Sequence, residues 1–159
     1  MTPQTRLIQN PDLPQLHQMI CALAAHHDDI PDVSPTRLKQ YVSGPNPWFT
    51  VIVAHGGDAN LLGYAALLPR GQLQFGRRGM DMHHLFVRPL ARGKGVGRAL
   101  TDAARAHSTD IGCAFLSVGT HPDNIRAGRF YEKQGFARRA GSGPGSGPRF
   151  SLRLDQPPT

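Results

Sequence analysis

The strongest constraint on the fold of this chain is a basic, glycine-rich run, Arg92–Arg98, that follows an apolar segment and opens an amphipathic one. The segment before it, Met82–Val87, has the composition of a strand. The segment after it has helical spacing, which places these residues on one face: Val96, Ala99, Leu100, Ala103, Ala104 and His107. Glycines allow positive φ, and a helix N-terminus offers unpaired N–H groups and partial positive charge. The run therefore predicts a strand–loop–helix unit that binds an anionic cofactor.

Two common phosphate-binding loops do not fit this run. The Walker pattern Gly-x-x-x-x-Gly-Lys-Ser/Thr has no match in the sequence, and the dinucleotide pattern needs a third glycine where Arg98 or Leu100 stands. The sequence therefore favours neither ATP nor NAD. An exposed basic turn without a ligand is the alternative interpretation.

A family resemblance is carried by two segments. The pattern Arg92-x-x-Gly95-x-Gly97 after Phe86-Val87 resembles the acetyl-CoA loop of the GNAT superfamily of N-acetyltransferases, and Asn124–Phe136 is similar to its second cofactor segment. Both lie, in the right order, between Met80 and Ala140. The resemblance implies acetyl-CoA as the cofactor and the following binding residues: Leu85, Phe86, Val87, Arg92, Gly93, Lys94, Gly95, Val96, Gly97, Arg98, Asn124, Ala127 and Tyr131.

The resemblance also implies the GNAT fold, an α/β architecture with a mixed central sheet of about seven strands flanked by about four helices. Propensity and turn signals predict strands at these places: from Leu7, Trp48–Ala54, Leu61–Leu68, Met80–Val87, Ala114–Val118, from Phe136, and Phe150–Leu154. They predict helices at these places: Asn10 to about His26, Ser34 to Tyr41, Gly95–Ser108 and Asn124–Gln134. We expect one domain over residues 1–159, with Gly141–Pro148 as a mobile loop.

Composition limits the classes of partner. Lys and Arg number 18 against 11 Asp and Glu, a formal charge of +7 that attracts anions. The basic residues are scattered and form no nucleic-acid motif, so we expect no nucleic-acid partner. Cys21 and Cys113 are expected to be buried free thiols, which fits the cytoplasm, and we expect no bound metal. The chain shows no signal peptide and no long apolar run, so no membrane partner is expected.

Acetyl transfer from a thioester to an amine needs a base for the ammonium and an acid for the leaving thiolate. The resemblance assigns the acid to Tyr131. Strand alternation places Asp81, His83, Leu85 and Val87 on one face of their strand and Met82, His84 and Phe86 on the other. We expect His83 to be the base, since its position is similar to that of a histidine in arylalkylamine acetyltransferases. His84, Asp81 or a chain of waters are the alternatives, and Asp81 could also orient the His83 imidazole.

The acceptor is indicated only by a short acidic stretch with histidines, His26–Asp32. Its carboxylates would suit a cationic amine, and a solvated loop is the alternative. The predicted substrate-binding residues are His26, Asp28, Asp29 and His84. The expected function is acetyl transfer from acetyl-CoA to a primary amine of a small molecule. Acetylation of a protein lysine or N-terminus, and acyl-CoA binding without turnover, remain open; homodimers are common in the superfamily.

Overall fold

The computed structural model describes residues 2–141 and 145–155. Contacts divide the described residues into two compact units: the residues up to Leu67 with His84–Ala103, and Leu68–His83 with the residues from Ala104 onward. The strands are β1 Gln4–Leu7, β2 Thr50–His55, β3 Leu61–Gln72, β4 Arg77–Val87, β5 Phe115–Gly119, β6 Ala137–Arg139 and β7 Arg149–Arg153. The helices are α1 Leu13–His26, α2 Pro35–Val42, α3 Val96–Asp110 and α4 Ile125–Lys133.

The strands form one mixed sheet in the order β1-β2-β3-β4-β5-β7-β6. β1 with β2, β2 with β3, β5 with β7, and β6 with β7 are antiparallel, whereas β4 and β5 are parallel. The predicted α/β architecture is confirmed, because the described residues form seven strands and four α-helices. The parallel register joins Gly79–Asp81 to Phe115–Ser117, and β4 then continues to Val87.

The first unit is built around an apolar core between its two N-terminal helices and its strands. Leu16, Met19 and Leu23 recur at helical spacing, so they form the apolar face of α1 that packs into this core. The Ser34 hydroxyl caps α2 by accepting from the Arg37 N–H at 3.1 Å, as predicted. The buried residues of this core also include Leu38, Val42, Val51, Val53, Leu61, Tyr64, Ala66 and Phe86.

The second unit packs α4 against β7. A Cβ on Gly128 would lie 3.0 Å from the Phe150 ring, so the absence of a side chain lets the helix lie close to the strand. Tyr131, one turn further along α4, has its ring centroid 5.6 Å from that of Phe136 and 5.8 Å from that of Phe150. Tyr131 is therefore held in an aromatic cluster.

Several sequence expectations need correction. β1 ends at Leu7 instead of beginning there. β3 continues past the predicted end at Leu68 to Gln72, and β4 begins at Arg77 and not at Met80. This outer part is mostly exposed, so it lacks the apolar pattern by which a strand is recognised. Cys21 is half-buried and not buried, with its Sγ 3.9 Å from Nδ1 of His17.

The expectations for the cysteines and for the glycine-rich loop have different outcomes. Both cysteines are free thiols, and Cys113 is buried as expected. The predicted mobile loop Gly141–Pro148 lies partly outside the described residues, because 142–144 are not among them. In the described ranges, no helix combines the length and apolar character needed to cross a bilayer.

Candidate functional site

A basic glycine loop joins β4 to α3 in the first unit. Arg92 is extended at its start and donates from Nε to the carbonyl of Val87 at 3.0 Å. Gly93 and Gly95 have φ of 75° and 82°, values that side chains with a Cβ rarely adopt. A Cβ at either position would meet nothing within 4 Å. Backbone conformation, and not lack of space, therefore requires glycine here, and the outer side of the loop is open to a ligand.

The loop ends at the N-terminus of α3, a helix of 15 residues. Its first hydrogen bond runs from the Ala99 N–H to the Gly95 carbonyl at 3.0 Å, so the N–H groups of Val96–Arg98 precede the hydrogen-bonded ladder. Three exposed cations flank these groups: Arg92, Lys94 and Arg98. Amide donors, the helix dipole and positive side chains together suit an anion such as a diphosphate.

Close packing fixes the start of α3 against the ends of two strands. A Cβ on Gly63 of β3 would lie 2.3 Å from the Phe86 carbonyl oxygen and 3.3 Å from the Leu100 side chain. Phe86 and Leu100 are buried, and Leu85 and Val87 are half-buried. The end of β4 and the beginning of α3 are thus held together around Gly63, which positions the loop that joins them.

His84 is held by a tyrosine that sequence reasoning missed. The hydroxyl of Tyr64 lies 2.9 Å from Nδ1 of His84, and the two rings meet edge to face with centroids 6.0 Å apart. Tyr64 is fully buried, and burial raises the pKa of its phenol, so the hydroxyl keeps its proton. The sequence offers one signal for this contact, a tyrosine within the apolar run Leu61–Leu68. Which residue of β4 lies opposite Tyr64 depends on how β3 pairs with β4.

Asp81 lies in the second unit, where it is bound from two other strands. Its carboxylate accepts hydrogen bonds from the Ser117 hydroxyl at 2.8 Å and from the Arg149 guanidinium, and Arg70 lies 3.7 Å away. The sequence predicted Asp81 as a base or as the residue that orients His83. In the structure its carboxylate is engaged by β5 and β7, while His83, two residues further along β4, is exposed.

Residues predicted from the second cofactor segment lie at the start and middle of α4. The Asn124 side chain accepts from the Ala127 N–H at 3.1 Å and so caps the helix. Tyr131 is buried, with 5% of its surface exposed, and burial raises the pKa of its phenol. The structure thus accounts for Asn124 and Ala127 as parts of a helix start; cofactor contact by these two residues stays a prediction.

The predicted acceptor residues have different environments. His26 is the last residue of α1, and Asp28 and Asp29 follow it in an exposed turn where Asp28 has a φ of 57°. His84, by contrast, is half-buried on β4 against Tyr64. The acidic residues are therefore available to solvent, and their contact with an acceptor stays a prediction.

Comparison with known proteins gives concordant results. The model of the acetyltransferase (GNAT) family matches residues 13–136. An uncharacterized N-acetyltransferase of Mycobacterium tuberculosis is 30% identical over 105 residues, which are 66% of this chain and 62% of that relative's length. The chain thus spans less than two thirds of this curated relative.

Solved structures share the fold at low sequence identity. YncA of Salmonella typhimurium, solved with its cofactor acetyl-CoA, has a TM-score of 0.76 at 19% identity over 100% of this chain and 98% of that one. Spermidine N-acetyltransferase of Vibrio cholerae, solved with CoA and spermine, has a TM-score of 0.75 at 17% identity over 96% of each chain. At these identities the likeness concerns the fold alone.

Proposed function

The chain belongs to the GNAT family of acetyltransferases, enzymes that use acetyl-CoA, and we propose that it transfers the acetyl group of acetyl-CoA to a primary amine of a small-molecule acceptor. The observation that carries the proposal is the loop between β4 and α3. There, Gly93 and Gly95 adopt positive φ beside three exposed cations and the N-terminus of α3.

Acetyl-CoA fits this loop by charge and by space. Its diphosphate is an anion, and the loop offers the Val96–Arg98 N–H groups together with the cations of Arg92, Lys94 and Arg98. A side chain at Gly93 or Gly95 would project into open space, the space that a bound diphosphate needs. When bound, acetyl-CoA supplies the acetyl thioester. In the proposal, Leu85–Val87 provide a backbone N–H for its carbonyl oxygen.

The base in this proposal is His83. An alkylammonium has a pKa near ~10 and must lose a proton before it can attack, and a neutral imidazole can take that proton near pH ~7. His83 is exposed on β4, so an acceptor can reach it from solvent. His84 is the alternative base, and the hydroxyl of Tyr64 lies 2.9 Å from its Nδ1.

The acid in this proposal is Tyr131. Burial raises the pKa of its phenol, so the hydroxyl holds its proton throughout the neutral range and has it available for the leaving sulfur. Three aromatic rings surround Tyr131, with centroids 5.2 Å (Phe130), 5.6 Å (Phe136) and 5.8 Å (Phe150) from that of its own ring.

The compartment also belongs to the proposal. Cys21 and Cys113 are free, and Cys21 is half-exposed, which supports a reducing compartment such as the cytoplasm.

The test begins with the cofactor. The protein is titrated with acetyl-CoA in a calorimeter, with ATP and NAD as comparison ligands, and CoA release is then followed over a panel of amines. The proposal expects saturable binding of acetyl-CoA and amine-dependent CoA release. No binding of acetyl-CoA at about millimolar concentration would overturn it, since that corresponds to less than about 4 kcal/mol of binding free energy. Binding without release for any amine would favour a module that holds acyl-CoA.

A further inference from the structure

A cleft in the second unit is lined by an unusual number of arginines. It is open to solvent and has a volume of about 660 Å³. Its five arginines come from β3, β4, β6 and β7: Arg70, Arg77, Arg139, Arg149 and Arg153. We call the cleft lined by these five residues the arginine cleft.

The carboxylates that pair with the arginine cleft are too few to neutralise it. Asp81 binds Arg149 and lies 3.7 Å from Arg70. Asp155 lies 3.4 Å from Arg77 and 3.0 Å from Arg153. Among the described residues, the ion pairs thus set two carboxylates against five arginines, which leaves a formal surplus of three positive charges.

The arginine cleft also has guanidinium donors that the neighbouring carboxylates do not use. The Nε of Arg77 is buried, and within residues 2–141 and 145–155 it has no hydrogen-bond partner. In those same ranges Arg139 takes part in no ion pair. A buried donor without an acceptor is costly, and guanidinium groups bind carboxylate and phosphate oxygens in pairs of hydrogen bonds. The cleft therefore has the donors for an anion.

The arginine cleft lies beside the proposed base. Ser117 and Arg149 line the cleft and hold Asp81, which precedes His83 by two residues on β4. Residues two apart on a strand face the same side and lie about 7 Å from each other. A small molecule whose anionic group is held in the cleft can therefore bring an amine toward His83.

We infer that the acceptor is a small amine that also carries an anionic group, and that the arginine cleft binds this group while the amine reaches His83. The amine chemistry in this inference rests on the proposed function. The exposed acidic turn after α1 suggested a cationic amine instead. The surplus of positive charge near His83 disfavours a second cationic group on the acceptor.

Matched pairs of amines test the charge requirement directly. O-phosphoethanolamine is compared with ethanolamine, and serine with serinamide, by calorimetric titration and as acceptors in the CoA-release assay. The inference expects the anionic member of at least one pair to bind more than about tenfold tighter than its neutral partner. The two pairs distinguish a phosphate from a carboxylate. Equal affinity within both pairs would overturn the inference.

Two neighbouring arginines on β6 provide variants with a built-in control. Arg139 lines the arginine cleft and Arg138 does not. Arg138 lies in a pocket with Asn124 and Glu132, and both arginines border a further pocket beside Pro148. Arg139→Gln is expected to weaken the anionic amine about tenfold, through KM and not kcat, and to leave the neutral amine unchanged. Arg138→Gln is expected to change neither. If both variants weaken binding of the anionic amine equally, its affinity depends on the overall positive charge of the surface, which would contradict a specific site.

The results for the two proposals can be separated. Binding of acetyl-CoA together with acetylation of neutral amines alone would leave the proposed function standing and remove the inference. Binding of O-phosphoethanolamine in a manner that depends on Arg139, without binding of acetyl-CoA, would overturn the proposed function and the acceptor role with it, and would leave the arginine cleft as an anion site only.

Discussion

The hydroxyl of Tyr64 on β3 lies 2.9 Å from Nδ1 of His84 on β4. The phenol is fully buried and burial raises its pKa, so the hydroxyl keeps its proton in this contact. The two adjacent histidines of β4 therefore differ in environment, because His84 is half-buried against Tyr64 and His83 is exposed.

Tyr64→Phe removes the hydrogen bond to His84 while keeping the ring. We expect the free energy of unfolding to fall by about 1 kcal/mol, since the half-buried imidazole loses a neutral hydrogen bond. Urea unfolding measures this change. Tyr41→Phe is the control, because Tyr41 is 45% exposed and its hydroxyl should contribute less than about 0.5 kcal/mol. Equal effects of the two substitutions would mean that the contact to His84 adds no stability.

His83→Gln tests the base. We expect kcat/KM for acetyl transfer to fall about 100-fold or more near neutral pH, and the acidic limb of the pH profile to disappear, because the proton acceptor is lost. The affinity for acetyl-CoA should not change. The pH dependence of kcat/KM checks the first expectation and calorimetry the second.

His84→Gln is the matched variant for this experiment. It should lower activity less than His83→Gln and should keep the acidic limb of the profile. If the limb disappears in His84→Gln and survives in His83→Gln, the two histidines have the opposite roles, and the buried Tyr64–His84 pair supplies the base.

Gly95→Ala tests the cofactor loop. Gly95 has a φ of 82° with open space around it, so alanine is strained by about 1 kcal/mol without a clash. We expect acetyl-CoA to bind at least about tenfold more weakly, because relaxing the strain moves the amides that face the diphosphate. Gly44→Ala is the control, since Gly44 has a φ of 90° and is equally open. Both variants should lose similar stability. Loss of acetyl-CoA affinity in both, or in neither, would contradict the proposed site.

Tyr131 makes stability depend on alkaline pH. Its phenol has a pKa above the ordinary value of 10.0 in the folded state, because burial disfavours the phenolate. Below pH ~10 the phenol is protonated in both states and stability is unaffected; above it the unfolded state loses the proton first, so the free energy of unfolding falls as pH rises. Urea unfolding between about pH 8 and 11 should show this fall, and Tyr131→Phe should reduce it. An unchanged slope in the variant would mean that other groups cause the decline.

Local pattern was sufficient for most elements of the fold. The spacing of Leu16, Met19 and Leu23 predicted α1, and Ser34-Pro35 predicted the start of α2, because periodicity and caps depend on neighbouring residues. The outer β3–β4 hairpin was underestimated because its residues are exposed and carry little apolar pattern. The extension of these strands depends on backbone hydrogen bonds, which most residue types can make whatever their side chains.

The sequence by itself determined the glycine loop and its partner helix. Gly93 and Gly95 are the residues that can hold positive φ, and Val96 and Leu100 anchor the helix that follows. Only the tertiary structure decided which side chains meet across strands: Tyr64 with His84, Asp81 with Ser117 and Arg149, and the five arginines of the cleft. The physical reason is that these contacts join residues far apart in the chain, as Asp81 and Arg149 do at 68 positions. Their partners follow from the register of the sheet, which no local preference encodes.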